Sequence, residues 1–366
     1  MTQIDNTHHP ANEVIAVRSE CNWKVGLDLG SSMTTYQEVF LRDDEKAEPR
    51  GLLFPTVVGY PHGHQPGDVN ADVIIGHEAV MSWDAHQMVF PIKNIANDPS
   101  RRALALKDFA SRLRVHMQNR QAPAWGVVAK PAQATPEFLS ELRAVANVLF
   151  ERVMIVDSAQ LLAMALYHEM GRKCSILVDL GATSTRMYLM TILSPLEGGQ
   201  IILDKGGDWV DGQVREGLLS RYPDLCASDV TITQFKEKMA FVAPRDKRCT
   251  LRLTLGSTVR NLDVTEIVTE PCETLVKELN QGFKKLLTRC PSDMLDSFIS
   301  NVFLLGGGAQ MDGLAMRVER DLQDQGLENA MVRSLPAAQS VASIGALKWA
   351  LSTDDERWGI PLFTYG

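Results

Sequence analysis

Two short stretches of the chain place an aspartate, a glycine and small residues at one spacing. "DLGSSMTT" sets Asp28 two residues before Gly30, Ser31 and Ser32. "DLGATST" sets Asp179 two residues before Gly181, Ala182, Thr183 and Ser184. Each closes an apolar run, "KVGLDLG" or "CSILVDLG", that reads as a buried strand. Such a turn has a plain reading, a connection between two strands. It also has a chemical one. Backbone N–H groups in a tight turn converge on phosphate oxygens, and small side chains let the backbone approach. An aspartate at the strand end can then meet Mg2+ through the waters that the ion keeps. One such turn is weak evidence. The echo at Asp179 favours phosphate binding and implies an internally duplicated fold.

A third glycine cluster, Gly306, Gly307 and Gly308 in "LLGGGAQMDGL", follows an apolar strand and precedes a helix. It reads either as a helix-entry loop or as a place where a ligand lies flat on the backbone, with a helix N-terminus favouring an anion. The spacings GxGxxG and GxxxxGK[ST] are absent, which disfavours the dinucleotide and P-loop folds.

The elements that must position these turns alternate. Strands are predicted at Lys24–Gly30, around Thr35–Leu41, as one strand through "GLLFPTVVGYP", and at "AWGVVAKPA". Residues 77–120 read as mostly helical with a break at "ANDPS". "TPEFLSELRAVANVLF" has Thr135 as N-cap and Pro136 at the first helical position. "RVMIVDSAQLLAMALYHEMG" reads as strand, turn and helix, closed by Gly171. After the second turn come a strand at 200–204, helices through "KGGDWVDGQVREGLLSRYP" and "TITQFKEKMAFVA", and a hairpin over 249–268. An amphipathic helix with Pro271 near its start, the "LLGGG" strand and a closing helix "QSVASIGALKWAL" complete the chain. This order indicates an α/β sheet protein.

The bulk numbers agree. The chain has 366 residues, 45% hydrophobic and 22% charged, enough for two ordinary domains or one large split one with real cores. A formal net charge of −8 argues against a general nucleic-acid binder. Six scattered cysteines with no CxxC pair suggest neither a zinc site nor disulfides and fit a reduced cytoplasm. No stretch approaches the roughly 18 apolar residues of a membrane span. His8 and His9 lie in a polar N-terminal segment that reads as tail rather than metal site.

The motif order "DLGSSMTT", "DLGATST", "GGDWVDGQV", "FKEKMAFVA", "LLGGGAQMDGL" resembles the actin-like ATPase superfamily over nearly the whole chain. The resemblance implies a duplicated α/β fold with two domain halves, a nucleotide cleft between them, and ATP with Mg2+ as cofactors. The first two turns resemble phosphate 1 and phosphate 2, with Asp28 and Asp179 toward the metal. Gly206 and Gly207 resemble the Gly-Gly-Asp turn of bacterial actins and chaperones. Lys236 and Glu237 match the helix whose Lys-Glu pair contacts the nucleoside, and the Gly306–Gly308 segment matches the adenosine motif. A solvated helix face is the bland alternative for that pair.

The resemblance also divides the chain. It implies a disordered tail at 1–22 and domain I at 23–173 with a small subdomain at about 52–110. Domain II is 174–351 with a subdomain at about 208–275, its closing helix 338–351 returning to domain I, and 352–366 is a C-terminal tail. "VVGYP", "IIGHEAV" and "VDGQVREGLLSRYPDL" further resemble the MamK family of filament actins, which align magnetosomes.

Two departures stand out. Bacterial actins and chaperones carry a water-positioning glutamate, followed by proline, where this chain has Ser158 and Ala159. Asp157 and Gln160 are near, and actin's own use of a glutamine makes Gln160 a candidate. In the second turn Thr183 replaces the usual glycine and Arg186 an often acidic residue. Thr183 is β-branched and stiffer than glycine. Phosphoryl transfer depends on positioning and charge stabilisation, so hydrolysis is expected to suffer more than binding.

Three functions follow from the resemblance. One is a cytoplasmic cytoskeletal ATPase that self-associates into filaments. Another is a non-polymerising or copolymerising nucleotide-binding scaffold acting on a paralogous actin or a membrane-organelle adaptor. The third, a sugar or acetate kinase, needs a substrate pocket and base for which no segment stands out. No nucleic acid and no direct membrane span are expected. Trp83, Trp209 and Trp358 could serve interfaces or simply pack in the core.

Overall fold

Every residue of the strand Trp23–Leu29 is buried except Asp28, which the chain holds half-exposed at the strand's end. The strand built by "CSILVDL" repeats this, with Asp179 partly exposed beside buried Val178 and Leu180. The computed structural model describes residues 2–3, 21–41, 48–93, 98–117, 122–171, 173–225, 228–242, 248–255 and 258–358. His8, His9, most of the N-terminal segment, most of the "RDDEKAEPR" loop, part of the "ANDPS" break and residues 359–366 lie outside them.

The chain divides into two units, Met1–Tyr167 with Gln339–Gly366, and His168–Ala338. The first unit contains β1 (Thr2–Gln3), β2 (Trp23–Leu29), β3 (Met33–Phe40), β4 (Arg50–Pro55), β5 (Val58–Pro61) and β6 (Ile74–Ile75). It continues with α1 (Gly76–Met81), β7 (His86–Val89), α2 (Pro99–His116), β8 (Trp125–Lys130), α3 (Pro136–Leu149), β9 (Arg152–Asp157) and α4 (Ser158–Ala165). Its main sheet has the order β1-β4-β3-β2-β8-β9, with β4-β3-β2 antiparallel and β2-β8-β9 parallel.

The second unit contains β10 (Cys174–Leu180), β11 (Thr185–Thr191), β12 (Ser194–Leu203), α5 (Gly207–Arg221), α6 (Asp229–Met239), β13 (Thr250–Leu255) and β14 (Thr258–Asp263). Then come α7 (Thr265–Leu287), α8 (Leu295–Ile299), β15 (Val302–Leu305), α9 (Leu314–Gln323) and β16 (Val332–Ser334). Its sheet runs β12-β11-β10-β15-β16, again three antiparallel strands and then two parallel ones. The two sheets therefore share one order around β2 and β10. The last helix, α10 (Val341–Ser352), belongs to the first unit and packs on β2, β8 and α4.

Several elements differ from the sequence-based expectation, each for a local reason. "GLLFPTVVGYP" is two strands, because the chain leaves the main sheet at Pro55 and β5 joins a separate sheet of order β6-β5-β7. His86–Val89, expected as helix, is a strand because it pairs with Val58–Pro61. Helix α7 begins at Thr265, so Pro271 lies inside it, and its missing N–H forfeits one backbone bond. No turn separates β9 from α4: Asp157 ends the strand and caps the helix, which stops well before Gly171. Thr135 caps α3 through its side chain, accepting from the Phe138 N–H, a contact that stabilises a helix by about 1 kcal/mol. Trp358 is buried against Trp125, with ring centroids 5.2 Å apart, whereas Trp83 is 66% exposed. No described helix is long and apolar enough to cross a membrane.

Candidate functional site

In the first unit the candidates sit where parallel strands end. β2, β8 and β9 run in the same direction, so Asp28, Lys130 and Asp157 lie at one edge of the sheet. In open α/β sheets this carboxyl edge is where ligands bind. The Gly30–Ser32 turn is closed by a bond from the Gly30 N–H to the Met33 carbonyl, 3.1 Å. A Cβ on Gly30 would fall 2.5 Å from that same oxygen, so only glycine makes this turn unstrained. Ser31 and Ser32 are half-buried.

Buried side chains hold this turn from behind. The Thr56 hydroxyl donates to the Gly30 carbonyl at 2.7 Å and lies 2.8 Å from the Thr34 hydroxyl. The Thr56 N–H donates to the Ser32 carbonyl at 2.8 Å. Both threonines are fully buried. Thr56 was not among the sequence candidates. It lies far along the chain from Gly30, and nothing local in "FPTVV" signals it.

Ser158 and Gln160 open α4. The Ser158 hydroxyl donates to the Lys130 carbonyl at 2.8 Å. The Asp157 carboxylate accepts from the Ala159 N–H at 3.0 Å and pairs with Lys130 Nζ at 3.7 Å. Both groups therefore tie helix to sheet. Gln160, half-buried in the first turn, is the remaining polar candidate of that segment.

The second unit brings its own candidates together. The Gly181 N–H bonds to the Ser184 carbonyl at 3.1 Å, the same closure and distance as at Gly30. The Gly181 and Ala182 carbonyls accept from the N–H groups of Gly207 and Asp208, at 3.0 and 2.8 Å. A Cβ on Gly206 would meet both those carbonyl oxygens at 2.5 Å, so the Gly206–Gly207 turn lies flat on the Gly181–Ala182 turn. Lys236 Nζ ion-pairs with Asp211 at 3.1 Å and reaches the Gly207 carbonyl at 3.5 Å, while Thr233 donates to Asp211 at 2.9 Å. Lys236 thus braces the Gly-Gly turn, and Glu237 beside it is exposed.

Gly306 has φ +78°, and a Cβ there would lie 2.8 Å from Asp179 Oδ1. Gly308 packs on the Leu180 side chain. The cluster opens not an α-helix but a short 3-10 turn, Gly307–Gln310. The α-helix starts only at Leu314, capped by Gly313 at φ +81°, because two left-handed glycines interrupt the segment. Thr183 is exposed in its turn, and among the described non-glycine residues only Ile192 has a positive φ. The glycine-to-threonine departure therefore carries no left-handed strain.

Asp179 and Arg186 are register partners on antiparallel β10 and β11, so their side chains share one face. Arg186 Nη1 lies 3.8 Å from Asp179 Oδ2, and each side chain is about four-fifths buried. Burial pushes the Asp179 carboxyl above the ordinary value, and the guanidinium pulls it back. The matching pair in the first unit is Asp28 and Thr35, with no charge on the second residue. The two halves thus differ toward a divalent cation. Asp28 is a half-exposed carboxylate opposite a neutral residue, which suits a hydrated Mg2+. Asp179 is engaged by a fixed cation and does not fit one.

No family model matches the chain. It is 24% identical over 346 residues to the actin-like protein MamK of Magnetospirillum gryphiswaldense, covering 91% of this chain and 90% of that one. A solved MamK double helical filament superposes with TM-score 0.75 at 22% identity, over 91% of this chain and 99% of that one. MreB 5 of Spiroplasma citri bound to AMPPNP gives TM-score 0.68 at 16% identity, over 89% of this chain and 95% of that one. The fold is the actin-like one, and the chain is similar in sequence to MamK over nine-tenths of its length.

Proposed function

With an actin-like fold as the premise, we propose that this chain is a bacterial actin that binds ATP and assembles into filaments, with slow hydrolysis. The observation that carries this is the pair of glycine turns. Gly30 and Gly181 close onto Met33 and Ser184 in the same way, each after a strand that ends in a partly exposed aspartate. Such turns present backbone N–H groups to phosphate. In the first unit Ser31 and Ser32 would hold phosphate oxygens on the turn that Gly30 closes, and Asp28 would meet Mg2+ through its waters. In the second unit Ala182, Thr183 and Ser184 would hold phosphate on the turn that Gly181 closes. Gly206, Gly207, Gly306, Gly307 and Gly308, with Lys236 and Glu237 nearby, would shape the nucleoside side.

Self-association is supported by the likeness to the MamK filament. Nucleotide state would bias assembly by changing which conformation is favoured. Positioning of magnetosomes or another organelle, in the cytoplasm, is the cellular role that fits the MamK likeness. Slow hydrolysis follows from the segment that positions water in relatives of this fold. Here Asp157 and Ser158 are committed to Lys130 and the helix cap, which leaves Gln160 for that role.

The same departures favour a second reading, a copolymerising or non-polymerising scaffold that binds nucleotide and acts on a paralogous actin or an organelle adaptor. Pelleting and negative-stain microscopy with ATP, with ADP and without nucleotide, alongside phosphate release, separate the two. Filaments with ATP support the first. ATP binding without filaments supports the second. Phosphate transfer to a small molecule would overturn both.

A further inference from the structure

At the cross-strand pair that holds the strand-end aspartate, the two halves of the duplicated fold differ in charge. Asp28 faces Thr35, and at the equivalent place Asp179 faces Arg186. The second pair is set by strand register and not by a flexible loop, and both side chains are mostly buried, so the guanidinium is a resident charge. Lys236 pairs with Asp211 at 3.1 Å and Lys205 with Glu278 at 2.5 Å, so neither of these lysines is paired with the strand-end aspartate. Arg186 is the one that lies against Asp179.

We propose that Arg186 supplies, beside Asp179, the positive charge that a divalent cation would otherwise bring, so that adenine-nucleotide binding by this chain depends only weakly on Mg2+. A cation approaching Asp179 would have to compete with a guanidinium that is always protonated and loses little freedom in the pair. Polyphosphate nonetheless needs positive charge in a partly buried site, where unbalanced anions are costly. A fixed guanidinium meets that need without ion uptake, and its planar donors suit phosphate oxygens as well as carboxylate. Asp28, the carboxylate that would meet Mg2+, lies in the unit whose pair is neutral. This rests on the nucleotide-binding reading above.

The test is a fluorescent ATP analogue titrated into the full chain, with Mg2+ and with excess EDTA. The native chain is expected to lose less than about threefold in affinity when Mg2+ is removed, well under the tenfold that a 1.4 kcal/mol change would bring. Arg186→Gln is expected to raise that ratio to roughly tenfold or more, and Arg186→Lys, which keeps the charge, to restore a small ratio. A native chain that needs Mg2+ as strongly as Arg186→Gln does would overturn the inference while leaving nucleotide binding intact. No binding in either buffer would overturn the nucleotide reading and this inference with it.

Discussion

Gly345 of α10 packs so closely on Leu161 of α4 that a Cβ would overlap the Leu161 carbonyl oxygen. A second glycine makes the same helix lie flat on the sheet, because a Cβ on Gly26 of β2 would collide with the backbone of Ser343 and Leu347. Helix α4 is thus held from behind by a helix that arrives from the far end of the chain. Its first turn carries Ser158 and Gln160.

Gly345→Ala is therefore expected to push α4 away from α10. Overpacking of this kind costs about 1–3 kcal/mol. Urea denaturation would read the loss as a lower midpoint with an unchanged slope. A midpoint equal to that of the native chain would show that the helices slide apart without cost.

Thr56→Val keeps the side-chain shape and removes the hydroxyl. The Gly30 carbonyl and the Thr34 hydroxyl then lose a buried partner, which costs about 1–3 kcal/mol. The turn Gly30–Ser32 should also loosen. Stability and ATP-analogue affinity are expected to fall together, while Thr56→Ser should retain most of both.

Ser158 and Gln160 make opposite predictions. Ser158 donates to Lys130, so Ser158→Ala should lower stability by about 1 kcal/mol and leave single-turnover phosphate release unchanged. Gln160→Ala should do the reverse. Quenched-flow phosphate release at saturating ATP, set beside thermal unfolding, distinguishes them. A rate lost in Ser158→Ala at native stability would assign the water to the serine.

Lys24 gives a pH dependence. Its amine is buried 4.0 Å from the Trp125 ring centroid and 4.8 Å from that of Trp358, and pairs with Asp355 at 3.7 Å. Burial lowers its pKa from the ordinary 10.5, and Asp355 opposes this. Between the lowered folded value and 10.5 the unfolded chain binds more protons, so this group makes stability rise with pH in that window. Below the folded value the penalty is present in full. Lys24→Met should abolish that rise and leave neutral-pH stability within about 1 kcal/mol of native or above it, since replacing a buried charge by an apolar chain is often neutral or better. Removing the partner, as in Asp355→Ala, should instead destabilise. Denaturation midpoints across alkaline pH would check both signs.

Much of this was legible in the sequence. The Asp-Leu-Gly turns, the glycine clusters and the strands before them are local features, dictated by residue size and by period-two or continuous apolar runs. Thr135, Pro136 and the stripe behind them specify α3, because capping is settled within four residues. The segments read differently by the structure are those decided elsewhere. His86–Val89 carries no strong strand pattern and becomes one only because Val58–Pro61 lies beside it.

The sequence by itself determined which backbone segments can approach a ligand, since only glycine and small residues permit that approach. Gly30, Gly181 and Gly306 could be picked out on those grounds, and Asp28 and Asp179 as the carboxylates at the ends of the strands before the first two. Tertiary structure decided what each side chain is committed to. Thr56 reaches Gly30, Lys236 braces Gly207, and Ser158 is tied to Lys130 by contacts between residues far apart in the chain. Arg186 is nearer Asp179 in sequence, yet only the β10–β11 register places the two face to face. A side chain's charge is written in the sequence; the partner that balances it is set by which strands and helices pack together.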